Sequence, residues 1–291
     1  MTAASNSNGC AAIQNSAIIV RATRWSEPLA HFIAELRAAS GLPVFPALDS
    51  RYLAEGEETG AIRVDRDVLC QMGLYCPGNF AWRCGDYVYY LARRQHPEYS
   101  HIWLIEHDVR FSPARIHAFF ESFAGVDVDF LSALFNSADP KWYWYNFALA
   151  RDAKPYSCFF PVTRLSGRAI DSLQAKRQEH SRQWWRRILW PNDEIFVATT
   201  AHHAGLSIAD INEYGDTLYD GEFFQYNKSF SAADYEGFLT QSGGPAMFHP
   251  VLYGEEYHQR VKRLAEHRNR KETGRRFTNR LKSCISRSQR W

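Results

Sequence analysis

The sequence predicts an α/β chain built around a parallel sheet. Three adjacent segments carry this: a β-branched run, SAIIVRAT (16–23), an amphipathic stretch after it, and a second apolar run, PVFPALDS (43–50). Strand, helix and strand in such quick succession form a βαβ unit, which implies parallel strands joined by a right-handed crossover.

The first run is bounded by polar residues, as a short buried strand is. Ser26 is placed to cap the helix that follows. Leu29, Phe32, Ile33 and Leu36 fall at i, i+3, i+4 and i+7, a core-facing stripe that ends before Gly41. The second strand runs to Asp49. Residues 51–80 are irregular and acidic around Glu55–Glu58, with Pro77 and Gly78, and are expected to form a loop with one short helix. Asp86–Arg94 predicts a helix ending near Pro97. HIWLIEHDVRF (101–111) is the clearest strand, four apolar residues followed abruptly by Glu106, His107 and Asp108. A short helix is expected over 113–123, a strand over 126–134, an aromatic loop at Trp142–Tyr145, and strand, turn and helix over 158–173. Phe196–Ala204 predicts a helix closed by Gly205, with a strand over 206–212. The Gly/Ser-rich QSGGPAMFHPV (241–251) holds His249.

At 291 residues the chain fits one large domain or two small ones, and 45% apolar with 15% aromatic residues excludes a disordered chain. The net charge of +2 conceals an asymmetry. From His258 to Trp291 there are 12 Lys+Arg against Glu266 and Glu272, a surplus of ten, so the remainder is an acidic body with a deficit of eight. The expected organisation is a flexible start (1–15), one domain (16–257) and a basic, helical tail (258–291). Cys10, Cys70, Cys76, Cys84, Cys158 and Cys284 form no CxxC pair, so reduced thiols are expected rather than a zinc ribbon or redox motif. The first residues lack the pattern of a signal peptide, and no stretch approaches the ~20 apolar residues of a membrane span. A reducing, cytoplasmic location is the expectation.

Glu106 and Asp108 directly follow an apolar strand, and in α/β sheets ligands gather beyond the carboxyl ends of strands. Carboxylates crowded there are costly unless a cation or a hydrogen-bond donor neutralises them, and hard oxygen ligands suit Mg²⁺ or Mn²⁺ with substrate phosphates; a simple strand-end turn would also explain the pair. Asp193 and Glu194 precede a helical stretch, where the dipole favours negative charge, so helix capping accounts for them as well as catalysis does. His249 precedes a proline and by itself is unremarkable. His202 and His203 fall within a helix and point two ways, as structural histidines do. Trp142, Trp144, Trp184 and Trp185 offer sugar-stacking platforms or core packing, and SGR (166–168) offers backbone N–H groups before a helix.

The order and spacing of these elements resemble the GT-A fold of nucleotide-sugar glycosyltransferases over roughly residues 16–252. The resemblance implies a three-layer α/β/α, Rossmann-like domain with a mixed, mostly parallel sheet. Glu106-His107-Asp108 stands where that fold carries its DxD motif, so Asp108, Glu106 and the late His249 are expected to hold Mn²⁺ or Mg²⁺. Thr23, Asp49, Asp86 and His107 are expected on the donor side, although a helix-capping role would equally explain Asp86. Glu194, 11 residues before Gly205, matches the position of a catalytic base, with Asp193 the neighbouring alternative. Trp142, Trp144 and Trp185 are expected on the acceptor side.

The expected activity is metal-assisted, inverting transfer of a sugar from a nucleotide-diphosphate donor to a glycan or lipid-linked hydroxyl, as in polysaccharide biosynthesis. The basic tail, with Val261, Leu264, Phe277, Leu281 and Ile285 among its arginines, adds an anionic membrane surface as partner and a peripheral place on its inner face. A sugar-nucleotide phosphoryl or nucleotidyl transferase is disfavoured, because residues 16–30 contain no glycine for a phosphate loop. A non-catalytic nucleotide-sugar or glycan binder would not need the acidic motifs. Nucleic acid is not expected as a partner, since the body is acidic.

Overall fold

The computed structural model describes residues 15–53, 60–149, 154–215, 217–240 and 244–266. Its first strand, β1 (Ser16–Ala22), is almost wholly buried, and successive residues serve two different cores. Ile18 and Val20 pack with Leu48, Trp103 and Ile105, whereas Ile19 packs with Ala47, Ile102 and Leu104. A strand covered on both faces reads as an unbroken apolar run because the two-residue repeat sends neighbours to opposite sides.

The next elements are α1 (Glu27–Ser40), β2 (Val44–Asp49), β3 (Ile62–Val64), α2 (Arg66–Gln71), α3 (Phe80–Arg83), α4 (Asp86–Gln95) and β4 (His101–Glu106). They are followed by β5 (Arg110–Phe111), α5 (Ile116–Ser122), β6 (Phe130–Ser137), α6 (Tyr145–Leu149), β7 (Tyr156–Ser166), α7 (Gly167–Arg182) and α8 (Asp193–His203). β8 (Ile208–Asp210), β9 (Phe230–Ser231), α9 (Ala232–Leu239), β10 (Met247–Phe248) and β11 (Val251–Leu252) complete the named elements, and 254–266 is helical. The sheet order is β3-β2-β1-β4-β7-β6-β8. Every neighbouring pair is parallel except those made by β7, which runs against both β4 and β6. The expected mixed, mostly parallel sheet is therefore present. α1 and α5 cover one face, and α4, α7 and α8 the other, giving three layers.

Local chemistry sets the boundaries. Ser26 Oγ accepts from Leu29 N at 3.3 Å to open α1, and Gly41 closes it at φ 67°, a left-handed conformation that a Cβ would strain. Leu29, Phe32, Ile33 and Leu36 are the buried stripe. Trp103 on β4 packs against Phe119, Phe120 and Phe123 at ring-centroid distances of 5.2–5.9 Å, tying α5 to the sheet.

Several expected boundaries move. The strand over 101–111 breaks into β4 and β5, because Val109 N turns back to the Glu106 carbonyl and Arg110–Phe111 pairs instead with β10. The strand expected over 126–134 starts only at Phe130, since Arg164 takes the Val126 carbonyl and Ser166 N the Asp129 carbonyl. α8 begins at Asp193, three residues early, capped by Asn192. The strand expected over 206–212 shortens to β8, because Asp210 caps a 3-10 turn.

The expected domain boundary after residue 257 falls inside the helix 254–266. The flexible start (apart from Asn15) and residues 267–291 of the tail lie outside the described residues, as do Cys10 and Cys284. Cys70, Cys76, Cys84 and Cys158 are free thiols. Among the described residues no helix is long and apolar enough to cross a membrane.

Candidate active site

β1 has β2 on one side and β4 on the other, and the chain leaves it in one direction before returning in the other. Such a switch point opens a crevice at the carboxyl ends of the strands. Here it is a cleft of about 1040 Å³. Arg21, Ala22 and Thr23 come to it from β1, Asp49 from β2, and Glu106, His107 and Asp108 from β4. Because β7 is antiparallel, its beginning, from Ser157 to Pro161, reaches the same end. Asn192, Asp193 and Glu194 enter at the start of α8, and His249 with the helix 254–266 closes the remaining side.

Glu106, Asp108 and His249 each offer a ligand atom, and these atoms all lie within 4.8 Å of one another. β4 ends at Glu106 because His107 N bonds the Arg21 carbonyl at 3.0 Å and the chain then turns. Val251 N donates to the Asp108 carbonyl at 2.8 Å, which holds the His249 segment against the turn. His249 is buried. Its Nδ1 lies 2.9 Å from the Gln225 carbonyl, an acceptor, so Nδ1 carries the proton in the neutral ring and Nε2 presents a lone pair. That lone pair faces Asp108 Oδ1 at 3.5 Å. Oδ1 is enclosed and meets no hydrogen-bond donor. Two acceptors pointed at one another, one of them a carboxylate, form an arrangement that a cation relieves. The donor set, two carboxylates and an imidazole, suits Mn²⁺ or Mg²⁺. The residues fit a divalent ion. Burial raises the Asp108 carboxyl; when the facing His249 and adjacent His107 carry a second proton, their positive charge outweighs burial and holds it below the usual range.

Arg21 is the centre of a second network. Its guanidinium lies 2.9 Å from Glu106 Oε1 and 3.3 Å from Asp193 Oδ2. Asp193 Oδ2 also accepts from Gly85 N at 2.9 Å, and Oδ1 accepts from Glu194 N at 2.9 Å. A Cβ on Gly85 would come within 1.7 Å of Arg21 Nη1 and 2.5 Å of Asp193 Oδ2, so glycine is required for this approach. Asp193 is thus committed on both oxygens. Glu194 is not: Oε2 accepts from Asn192 Nδ2 at 2.9 Å, and the half-buried carboxyl opens on the cleft. Burial, reinforced by the Asp193 charge, pushes Glu194 up to about 8. Burial likewise raises Asp193 to about 6, against the pull of Arg21.

The cleft brings together Thr23, Asp49, Glu106, His107, Asp108, Trp142, Trp144, Asp193, Glu194 and His249. Two expected residues are not brought there. Asp86 is fully buried and pairs with Arg177 at 2.8 and 2.9 Å, while Tyr90 donates to it at 2.7 Å. Its carboxylate is consumed by the core and does not reach the cleft. Trp185 sits on an exposed 3-10 turn with Trp184, outside the cleft lining, and is corrected as an acceptor contact. Asp49 lines the cleft, but Arg51 grips it at 2.5–3.1 Å. Trp142 packs near Ala138 and Ile195, and the Arg83 guanidinium lies 4.6 Å over the Trp144 ring.

Sequence reasoning missed Arg21, Trp82, Arg260 and Arg263. A signal for Arg21 was present: an arginine closing an apolar strand is buried only where carboxylates meet it. Trp82, 62% exposed beside Trp144 at 6.5 Å, extends the aromatic wall from a segment that reads as loop.

This mixed α/β sheet carries a carboxylate–histidine cluster in the crevice at its switch point, the place where open α/β sheets bind their ligands. No family model matches the chain, and no curated protein matches it. Among solved structures it is similar to a glycosyltransferase involved in glycosylating the major capsid of PBCV-1, with 9% identity and a TM-score of 0.40, covering 86% of this chain and 99% of that one. It is also similar to core-mannan synthase A of Aspergillus fumigatus in its Mn/GDP form, with 13% identity, a TM-score of 0.38 and coverage of 71% and 75%. A third is the inositol-1-phosphate CTP transferase of T. maritima, with 12% identity, a TM-score of 0.37 and coverage of 68% and 86%.

Proposed function

We propose that the chain is a metal-assisted glycosyltransferase that moves a sugar from a nucleotide-diphosphate donor to an acceptor hydroxyl with inversion. The observation that carries this is the facing pair Asp108 Oδ1 and His249 Nε2, with Glu106 beside them, in one cleft with the inward-opening carboxyl of Glu194.

Asp108, Glu106 and His249 would hold Mn²⁺ or Mg²⁺, which when bound supplies positive charge to the donor diphosphate. Thr23 and Asp49, with Arg51 and Tyr52 beside them, form the wall on which the nucleoside lies; His107 stands between the two metal-side carboxylates. Trp142, Trp144 and Trp82 form the acceptor wall, where ring faces meet the apolar faces of a sugar. Glu194 takes the proton of the acceptor hydroxyl as its oxygen bonds to the sugar's anomeric carbon. The bond from that carbon to the phosphate oxygen breaks, and its electron pair leaves with the nucleoside diphosphate. Asp193 keeps Glu194 in place, since both its oxygens are occupied by Arg21, Gly85 N and Glu194 N. The acceptor is a glycan or a lipid-linked hydroxyl. The basic chain from residue 258 onward favours the latter, by adhering to an anionic membrane surface from the cytoplasmic side.

The test is a panel of nucleotide sugars with sugar and lipid-linked acceptors, run with Mn²⁺, with Mg²⁺ and with a chelator. The expected result is transfer that the chelator stops, giving a product of inverted anomeric configuration by NMR. Transfer undiminished by the chelator would defeat the metal assignment, and a retained configuration would defeat the role of Glu194.

A further inference from the structure

Four arginines line the cleft, and two of them are already spent. Arg21 pairs with Glu106 and Asp193, and Arg51 pairs with Asp49. Arg260 and Arg263 meet no carboxylate among the described residues. Arg260 Nη2 donates to the Tyr226 carbonyl at 3.2 Å, and Arg263 Nε to the Gln259 carbonyl at 3.3 Å. A solvated surface charge would leave it there, but the placement of these two is specific. They follow Glu256 by four and seven residues in the helix 254–266, so the three share one helical face, and all three line the cleft. Glu256 Oε1 lies 3.4 Å from Nε2 of His107, the residue between Glu106 and Asp108. Tyr226, which Arg260 holds, adjoins Gln225, whose carbonyl meets His249 Nδ1. The helix is therefore moored to the metal-side group at two points.

The reaction proposed above supplies a demand for those charges. A dication together with Arg21 would be matched by Glu106, Asp108 and Asp193, three charges against three. A sugar nucleotide brings a doubly charged diphosphate, and breaking the bond to the sugar leaves a further negative charge on its terminal oxygen. We infer that Arg260 and Arg263 bind the donor diphosphate and take up the charge that the departing nucleoside diphosphate acquires. This rests on the glycosyltransferase reading and names the residues that serve its leaving group. Arginine suits the task, because its planar fork meets phosphate oxygens in pairs and stays charged.

The test uses the full chain carrying R260Q together with R263Q, and R263Q alone as a milder change at an exposed position. Glutamine keeps helix propensity close to that of arginine, and circular dichroism checks the fold. Calorimetry follows Mn²⁺ alone, then UDP, GDP, CDP and ADP in turn at saturating Mn²⁺. The expected result is unchanged Mn²⁺ binding, with the preferred nucleoside diphosphate weakened roughly 10- to 100-fold in the double variant. The corresponding monophosphate should weaken less, and kcat should fall with the acceptor KM unmoved. Unchanged diphosphate affinity in a variant of an otherwise active protein would overturn the inference and leave the glycosyltransferase reading standing. A loss confined to the acceptor KM or to liposome binding would overturn it in favour of an anionic acceptor or a membrane surface. If the unaltered protein bound neither Mn²⁺ nor any nucleoside diphosphate, the underlying reading would fall first.

Discussion

His249 Nε2 stands 3.5 Å from Asp108 Oδ1, and neither atom has a proton to give the other while the histidine is neutral. Asp108→Asn replaces one acceptor with an amide that is able to satisfy its neighbour. The variant is expected to fold normally, lose measurable Mn²⁺ binding by calorimetry, and lose transfer by a factor on the order of 10²–10³, the cost of removing one group that stabilises developing charge. Retention of both metal binding and turnover would refute the site.

Glu194 and Asp193 are adjacent but differently engaged, so their amide variants should differ in kind. Glu194→Gln should lower kcat by roughly 10²–10⁴, the usual worth of a general base, with donor affinity kept. Asp193→Asn should act more mildly and chiefly through stability, by weakening the Arg21 and Gly85 contacts. In the unaltered protein the rate should climb as pH rises toward 8, since the base must lose its proton. An equal kcat loss in both variants would argue against this division of labour.

The same carboxyls shape stability. Glu194 at about 8 and Asp193 at about 6 hold protons in the folded protein that unfolded carboxyls, near ~4, have released. Their contribution is therefore complete below about pH 4 and drains away as pH rises through 6 and 8. Glu194→Gln cannot ionise. In chelator, it should be more stable than the unaltered protein at pH 8.5 by about 1–3 kcal/mol, seen as a higher Tm, and the gap should close near pH 5. A gap that widened toward acid would reverse the sign of the argument.

Asp86 belongs to the core. Removing one partner of a buried ion pair strands the other, so Asp86→Ala should cost about 3–5 kcal/mol by denaturant unfolding. Arg177 also donates to the Pro191 carbonyl at 3.2 Å and lies 3.6 Å from the Phe196 ring, so the loss should loosen the segment that delivers Glu194. At a temperature where the variant stays folded, donor affinity should remain within a few-fold. A large selective loss of donor affinity would return Asp86 to the binding site.

The βαβ start, the stripe of α1, the acidic triplet and the helix behind Asp193 and Glu194 were legible because each is a local pattern with its own period or cap. What was not legible depends on packing. Asp86 and Asp49 look alike in sequence, each an acid at the edge of an apolar element, yet one is sealed against Arg177 and the other opens on the cleft. Only the fold decides which cation lies opposite. Trp185 failed for a related reason: an exposed ring looks like a ligand platform from its neighbours, and only the position of its turn puts it outside the cleft. Arg260 and Arg263 were hidden in a general run of basic residues, where charge density masks the helical face that matters.

β7 enters the sheet at the edge where its parallel neighbours leave it. The stretch joining β6 to β7 therefore begins and ends beside the cleft, and it carries Trp142 and Trp144 between two anchored strands. The proposed acceptor wall can lengthen, shorten or change its rings without shifting β1 or β4, on which the opposite wall depends. Relatives of this chain could exchange acceptors by remodelling one hairpin connection while the charge-handling half stayed the same.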